Sequence, residues 1–446
     1  MKKYALFLIL LVVSVSAVAQ TPHQKLEELA AAYHRLEKFN GAVLVAHKGH
    51  ILLEKGYGYL DAEKGIQHEP GDLFQIGSVT KQFTAALVMQ QVEEGRLSLQ
   101  DRLSKFYPAY PNGDKITLEH LLSHTSGIFN YTNDAKLMQG SVTRPITEEA
   151  MLATFRDKPL DFEPGAQWNY SNSGYMLLGY ILQKVTGKPY EQLMRERILQ
   201  PLGMQHSGFN FAGLSGDRKS KGYFRLSGGK GLAAPVVDST FSFAAGALYA
   251  TVGDLYRWER GISTGKVLKP ESWKKVFTPV RNHYGLGWEI DTVYGKTYQA
   301  HGGGIHGFTS YLMRFPEEEL VVILLDNTSS GNLTPLAKGM AAIVLGKPYE
   351  VPEERTAIRL EEAVLQQYTG SYELRPDMVL KVFLQDGKLM TQATNQAAFE
   401  IFAESPTRFF VKAFDAQIEF VKDNQGKVTG AILYQGGREV KAPRIQ

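Results

Sequence analysis

The chain has 446 residues, 43% hydrophobic and 11% aromatic, enough for two or more domains with substantial cores. Its formal charge is +3, two units of which are Lys2 and Lys3 in the leader, and the near-neutral remainder shows no basic stripe of the kind that binds nucleic acid. There is no cysteine, which excludes disulfides, thiolate metal sites, a cysteine nucleophile and a lipidated leader cysteine.

Met-Lys-Lys, an apolar run to Val18 and the small-x-small end Ala17-Val18-Ala19 predict a secretory leader over residues 1–19. The chain is therefore expected to be exported, periplasmic or extracellular, with no stable membrane span after cleavage. Residues 22–38 have helical periodicity, with Leu26, Leu29, Ala30, Tyr33 and Leu36 on one side. The branched runs 40–47 and 51–59, separated by Lys48-Gly49-His50, predict a β hairpin. Next comes the stretch 76–95, which begins Ile-Gly-Ser-Val-Thr-Lys and continues apolar almost all round, the mark of a helix inside a domain. Ser78 lies at its mouth and Lys81 one turn on, so a hydroxyl stands beside an amine that burial would turn into a base. Ser-x-x-Lys also occurs at Ser227/Lys230, Ser263/Lys266 and Ser272/Lys275, but none of these heads a buried helix.

A threonine cap opens a short helix in the stretch 117–127. It carries His120 and His124 at the spacing of helical zinc ligands, but Leu121 stands where His-Glu-x-x-His has its glutamate, so the pair is read as structural and no metal is implied. A helix over 147–155 is followed by the loop from Phe162, with Pro164-Gly165, Trp168, Tyr170 and Asn172, and then by an apolar helix over 175–185. Residues 202–298 mix glycine-rich loops with helices near 253–262 and 270–278. Gly261-Ile-Ser263-Thr-Gly265 fits the nucleophile-elbow pattern but has a helix, not a strand, before it. From Thr297 three strands follow, ending at His301-Gly302-Gly303, Phe315 and Asp326, and then a helix over 333–345. Strands from both ends should complete one antiparallel sheet around an all-helical insert, an α+β domain over residues 20–346. Residues 347–360 read as a linker, and 361–446, with turn signals at short intervals, as a sandwich or barrel of about eight strands.

In the order Ser78/Lys81, Tyr170/Asn172 and His301/Gly302/Gly303, the chain resembles the serine β-lactamase and penicillin-binding-protein superfamily. Within it, the chain is most similar to the branch of class C β-lactamases, D-alanyl-D-alanine carboxypeptidases, D-aminopeptidases and esterases. Leu121-Leu-Ser-His-Thr-Ser-Gly127 and Tyr284-Gly-Leu-Gly-Trp288 add to the likeness, and the last domain resembles the lipocalin-like barrel of some members. The resemblance implies that Ser78 is acylated, that Lys81 or Tyr170 takes its proton, and that Asn172 binds the acyl-side amide. It also implies that the N–H groups of Ser78 and Gly304 form an oxyanion hole on the strand edge of His301, Gly302, Gly303 and Gly304. Many β-lactamases have Lys-Thr-Gly where this chain has His301-Gly-Gly, so attraction of a drug carboxylate is expected to be weak. The expected substrate is a D-amino-acid-containing peptide, a small amide or an ester, with no cofactor. A true β-lactamase and a penicillin-binding receptor without turnover are the competing expectations, and oligomeric state is left open.

Overall fold

The computed structural model describes residues 20–140, 142–329, 332–412, 416–435 and 438–445. The leader reading at residues 1–19 lies outside them. The chain divides into two compact units, with the boundary between Val351 and Pro352.

In the first unit, strand β1 (Gly41–His47) turns through Lys48 and Gly49, both at positive φ, into β2 (His50–Tyr57). Four further strands come from the far end of the unit: β3 (Glu289–Val293), β4 (Lys296–Ile305), β5 (Phe308–Phe315) and β6 (Leu320–Asp326). The sheet order is β2-β1-β6-β5-β4-β3, with antiparallel neighbours throughout, so distant segments of the chain meet where β1 pairs with β6. Sequence reading anticipated three late strands. The fourth, β3, is a largely polar edge strand with Ile290 its one buried residue.

Period-2 alternation gives this sheet two cores. Val43, Val45, Val322 and Leu324 face the layer of α1 (Pro22–Arg35), opened by a Thr21/Gln24 capping box, and of a helix over Thr334–Val344. Ala42, Leu44, Ile323 and Leu325 face the larger core, which contains α2 (Thr80–Glu93). Every α2 residue from Thr80 to Gln91 is buried, in keeping with its all-round apolar sequence. The insert between β2 and β3 is mainly helical, with α3 (Leu118–Leu122), α4 (Asn172–Thr186), α5 (Ser239–Gly246) and α6 (Val252–Ser263) among its elements. It also holds small two-stranded ribbons, one of them the hairpin Tyr223–Ser227 with Lys230–Ala233.

The second unit is an eight-stranded antiparallel meander from Gly370 to Pro443 in which each strand pairs with the next. The Ile445 N–H donates to Ser371 O at 2.8 Å and Tyr372 bridges Arg444, which brings the first and last strands together into a nearly closed barrel. Its interior is filled by side chains, with Tyr368, Tyr372, Phe409 and Phe420 at the centre.

Candidate active site

Ser78 sits in a single 3-10 turn, Gly77–Val79, that leads into α2. Gly77 has φ +49°, and a Cβ there would lie 2.8 Å from Gly304 N, so the turn and strand β4 touch backbone to backbone. Ser310 Oγ on β5 clamps the turn from below by donating to Ile76 O at 2.7 Å.

Lys81 is fully buried, one turn on from Ser78, and its Nζ has three hydrogen-bond partners: Ser78 Oγ at 2.9 Å, Asn172 Oδ1 at 2.7 Å and Ala245 O at 2.7 Å. Burial without any carboxylate partner holds the amine well below the ordinary lysine range. Ala245 belongs to α5, whose run is broken at Phe243 (φ 34°, ψ −129°). That break turns the carbonyls of Ala244 and Ala245 toward α2, where Thr84 Oγ1 and Lys81 Nζ donate to them.

Asn172 is the first residue of α4, where sequence reading had left it on the preceding loop. Its N–H donates to Asn130 Oδ1 at 3.0 Å and its Nδ2 to Thr132 Oγ1 at 3.1 Å, which fixes Oδ1 on Lys81. Tyr170 lies two residues earlier, its ring centroid 4.9 Å from Lys81 Nζ. Burial raises the phenol's pKa, partly offset by the Ser78 hydroxyl beside it, and no hydrogen bond of acceptable geometry closes on its oxygen. Behind the phenol ring, at 4.1 Å between centroids, lies the buried imidazole of His124, whose Nδ1 accepts from the Ser171 N–H.

Strand β4 forms the opposite wall. Strand β3 pairs with it only as far as Ala300, leaving the edge from His301 to Ile305 free. The two-residue turn between paired Ile305 and Phe308 sets the alternation of the ladder, so the N–H and C=O of Gly304 point to that free edge. A Cβ on Gly304 would meet nothing within 4 Å, whereas one on Gly303 would lie 2.0 Å from Ile76 O. The close approach at Gly303 is thus made by the serine turn, not by the open cleft, and at Gly302 only the Tyr311 ring is near.

His301, expected on the substrate side, is 2% exposed and turned into the protein. Its Nδ1 donates to Gly302 O at 2.6 Å, so its Nε2 accepts from the Tyr284 hydroxyl at 2.8 Å. Burial first, and Lys81 second, push its pKa down to about 3. His301 is therefore a neutral post under the strand. The cleft above Ser78, of about 410 Å³, is lined instead by Asn172, Tyr131, Thr132, Gly304 and a set of apolar side chains.

Sequence reading missed Asn130, Thr132, Tyr284 and the Ala245 carbonyl as parts of this site. A signal for the first two exists in the sequence, where a second Tyr-x-Asn, Tyr131/Asn133, directly follows Asn130 and contains Thr132. His120 and His124 are each tied to the chain, Nδ1 accepting from the N–H of Thr117 and of Ser171 respectively. Ser263 ends α6 and donates to Glu259, so Gly261–Gly265 is no elbow.

The arrangement couples a hydroxyl, an amine whose pKa burial lowers and the outward backbone N–H of Gly304, parts that acyl transfer needs. Comparison with known proteins agrees. Residues 26–345 match the family described as Beta-lactamase, and residues 354–442 match a domain of unknown function, DUF3471. Penicillin-binding protein 4* of Bacillus subtilis (strain 168) is 27% identical over 452 residues, covering 96% of this chain and 100% of that relative. Teichoic acid D-alanine hydrolase of Staphylococcus aureus (strain MRSA252) is 30% identical over 307 residues, covering 66% of this chain and 72% of the relative. The crystal structure of a D-stereospecific amidohydrolase from Streptomyces sp. superposes with TM-score 0.64 at 25% identity, covering 74% of this chain and 100% of that one. The match over residues 26–345, most of the first unit, shows that the chain belongs to the β-lactamase family of serine hydrolases.

Proposed function

We propose that this is an exported hydrolase that cleaves amides or esters of D-amino-acid type through an acyl-enzyme on Ser78, with Lys81 as the base. The observation that carries this reading is the set of partners around Lys81 Nζ. Asn172 Oδ1 and Ala245 O face it as acceptors and take two N–H bonds, so the lone pair of the neutral amine is left for the hydroxyl of Ser78 at 2.9 Å.

In the first half-reaction the Ser78 proton passes to Lys81 Nζ as the Oγ–carbonyl bond forms. The carbonyl oxygen takes the negative charge between the N–H groups of Ser78 and Gly304. The leaving amine or alkoxide departs with a proton handed on from Lys81 through Tyr170, a neutral phenol with its hydrogen bond free. Water then attacks the ester by the same route and restores Ser78. Asn172, tied to Lys81 and Thr132, has its remaining amide hydrogen for the acyl-side carbonyl.

Two relatives whose names specify D-alanine hydrolysis and a D-stereospecific amidohydrolase support the substrate class. The neutral, buried His301 supports weak activity on β-lactams, whose carboxylate finds no cation on the free edge of β4 from His301 to Ile305. Export is supported by the leader-like start and by the teichoic acid named as the target of one relative.

The test compares the intact protein with Ser78→Ala on an N-acetyl-D-alanyl anilide, a simple aryl ester and a chromogenic cephalosporin. Steady turnover of the first two, lost in the variant, with the cephalosporin at least ~100-fold slower, is the expected result. Unchanged turnover in Ser78→Ala would refute the reading, and a single burst with no steady rate would make the protein a binding receptor.

A further inference from the structure

Within the cleft above Ser78, none of the described lining residues is Asp, Glu, Lys or Arg. Its apolar walls are Met138, Phe224, Val237, Phe241, Ile305 and Phe308. Its polar groups are hydroxyls, the Asn172 amide, the His306 imidazole and backbone. The imidazole beside Phe224 is His306, half-buried, with its pKa lowered by that burial. Lys81 behind Ser78 meets only neutral acceptors, and His301 is hydrogen-bonded to Tyr284 inside the protein. A carboxylate or ammonium placed here would lose water and gain no counter-charge.

The apolar wall is also held in place. Phe224 is 38% exposed, and its ring stands edge-on to His306 at 5.5 Å. The preceding residue, Tyr223, anchors the hairpin: it is buried, accepts at its hydroxyl from Ala62 N–H at 2.9 Å, and donates its own N–H to Asn327 O at 2.9 Å. Phe308, directly after the β4–β5 turn, is buried among Phe74 and Phe211. A half-exposed aromatic ring on an anchored hairpin, at the mouth of an uncharged cleft, is a surface for an apolar substituent of a substrate.

We infer that this cleft selects uncharged substrates bearing an apolar group beside the scissile carbonyl, and discriminates against a free carboxylate or ammonium at that position. The inference rests on the acyl-enzyme reading and narrows it: among D-amino-acid amides and esters, those blocked at the nitrogen and free of a terminal acid are the substrates. Phe224 is the residue that sets this preference at the rim.

The test uses the full chain and p-nitrophenyl esters of phenylacetic acid, hemisuccinic acid and glycine, each rate divided by the ester's own rate with hydroxide. The phenylacetyl ester should exceed both charged esters by at least ~10-fold in kcat/KM. In Phe224→Lys the ratio of hemisuccinyl to phenylacetyl turnover should rise ~10-fold at low salt and fall back at high salt. Because each ratio is taken within one protein preparation, a partly folded variant does not disturb it. Equal normalised rates for the three esters, or a ratio unmoved by Phe224→Lys, would overturn the inference. The acyl-enzyme reading would survive either outcome as long as Ser78→Ala is inactive. Full activity in Ser78→Ala would instead defeat that reading.

Discussion

Of the four backbone positions from His301 to Gly304, Gly303 should be the least tolerant of a methyl group, although Gly304 is the one that faces substrate. A Cβ at 303 would stand 2.0 Å from Ile76 O and 2.3 Å from Ser310 Oγ, about 1 Å nearer than real Cβ atoms come to any neighbour. Ile76 O is itself held by Ser310 Oγ and leads directly into the turn that carries Ser78, so the turn has to retreat by about 1 Å. A displacement of that size at a reacting group costs on the order of 100-fold in rate, and the overpacking costs ~1–3 kcal/mol of stability. At Gly304 a Cβ meets nothing within 4 Å, and at Gly302 it reaches ordinary contact with the Tyr311 ring at 3.5 Å. The assay is kcat and KM for an aryl ester in the three alanine variants, with thermal unfolding in parallel. Gly303→Ala should lose kcat and melt lower, Gly304→Ala should keep its melting temperature and raise KM, and Gly302→Ala should do neither. A Gly303→Ala enzyme with wild-type kcat and melting temperature would refute the argument.

Two pH dependences follow from the buried groups. Because burial depresses the Lys81 pKa and the amine must be neutral to act, kcat/KM should rise with pH through that pKa. The profile should then stay flat to high pH, since burial raises Tyr170 and places His301 at about 3; a falling limb between pH 7 and 9 would contradict it. Asp326 is buried at the end of β6, and burial lifts its carboxyl from 3.8 to about 7, against the opposing hydrogen bonds from Thr328 and Asn40. Between pH 4 and 7 the unfolded chain has released this proton while the native state holds it, so stability falls with rising pH across that window, on the order of 4 kcal/mol in all. Asp326→Asn should remove that slope from the unfolding free energy measured against pH, and an identical slope in both proteins would exclude Asp326 as its source.

How far the sequence could be read depends on which atoms do the work. Ser78 and Lys81 lie one turn apart on a segment whose apolar residues cover the whole helix, so local periodicity revealed both the pair and its burial. The sheet was legible for a similar reason: β1 and β6 are nearly continuous apolar runs, while β3 escaped notice because an edge strand with Asp291 and Thr292 exposed has the composition of a loop. Asn172 was displaced by three residues because the apolar period of α4 begins only at Tyr175; its first turn is spent on hydrogen bonds to Asn130, Thr132 and Lys81 rather than on packing. The family likeness, not periodicity, brought Tyr170 and His301 into the set, and it could not foretell that Tyr284 holds the imidazole away from the cleft.

What stayed hidden is mostly backbone. The Ala245 carbonyl that completes the Lys81 shell depends on a break at Phe243, inside Ser-Thr-Phe-Ser-Phe-Ala-Ala with no glycine or proline before Gly246 to announce it. The strain there is sustained by packing from another helix: a Cβ on Gly179 of α4 would lie 2.5 Å from Ala244 Cβ and 2.6 Å from the Phe243 ring, so α4 and α5 can approach this closely only where α4 has a glycine. Gly303 and Gly304 make the same point on β4. The two letters are identical in the sequence, yet one is needed so that the serine turn can touch the strand and the other leaves an N–H facing an open edge. Side-chain chemistry therefore identifies the nucleophile and its amine, while the acceptor that tunes the amine and the donors that face the reacting carbonyl are set by how closely three chain segments approach, which only the assembled backbone specifies.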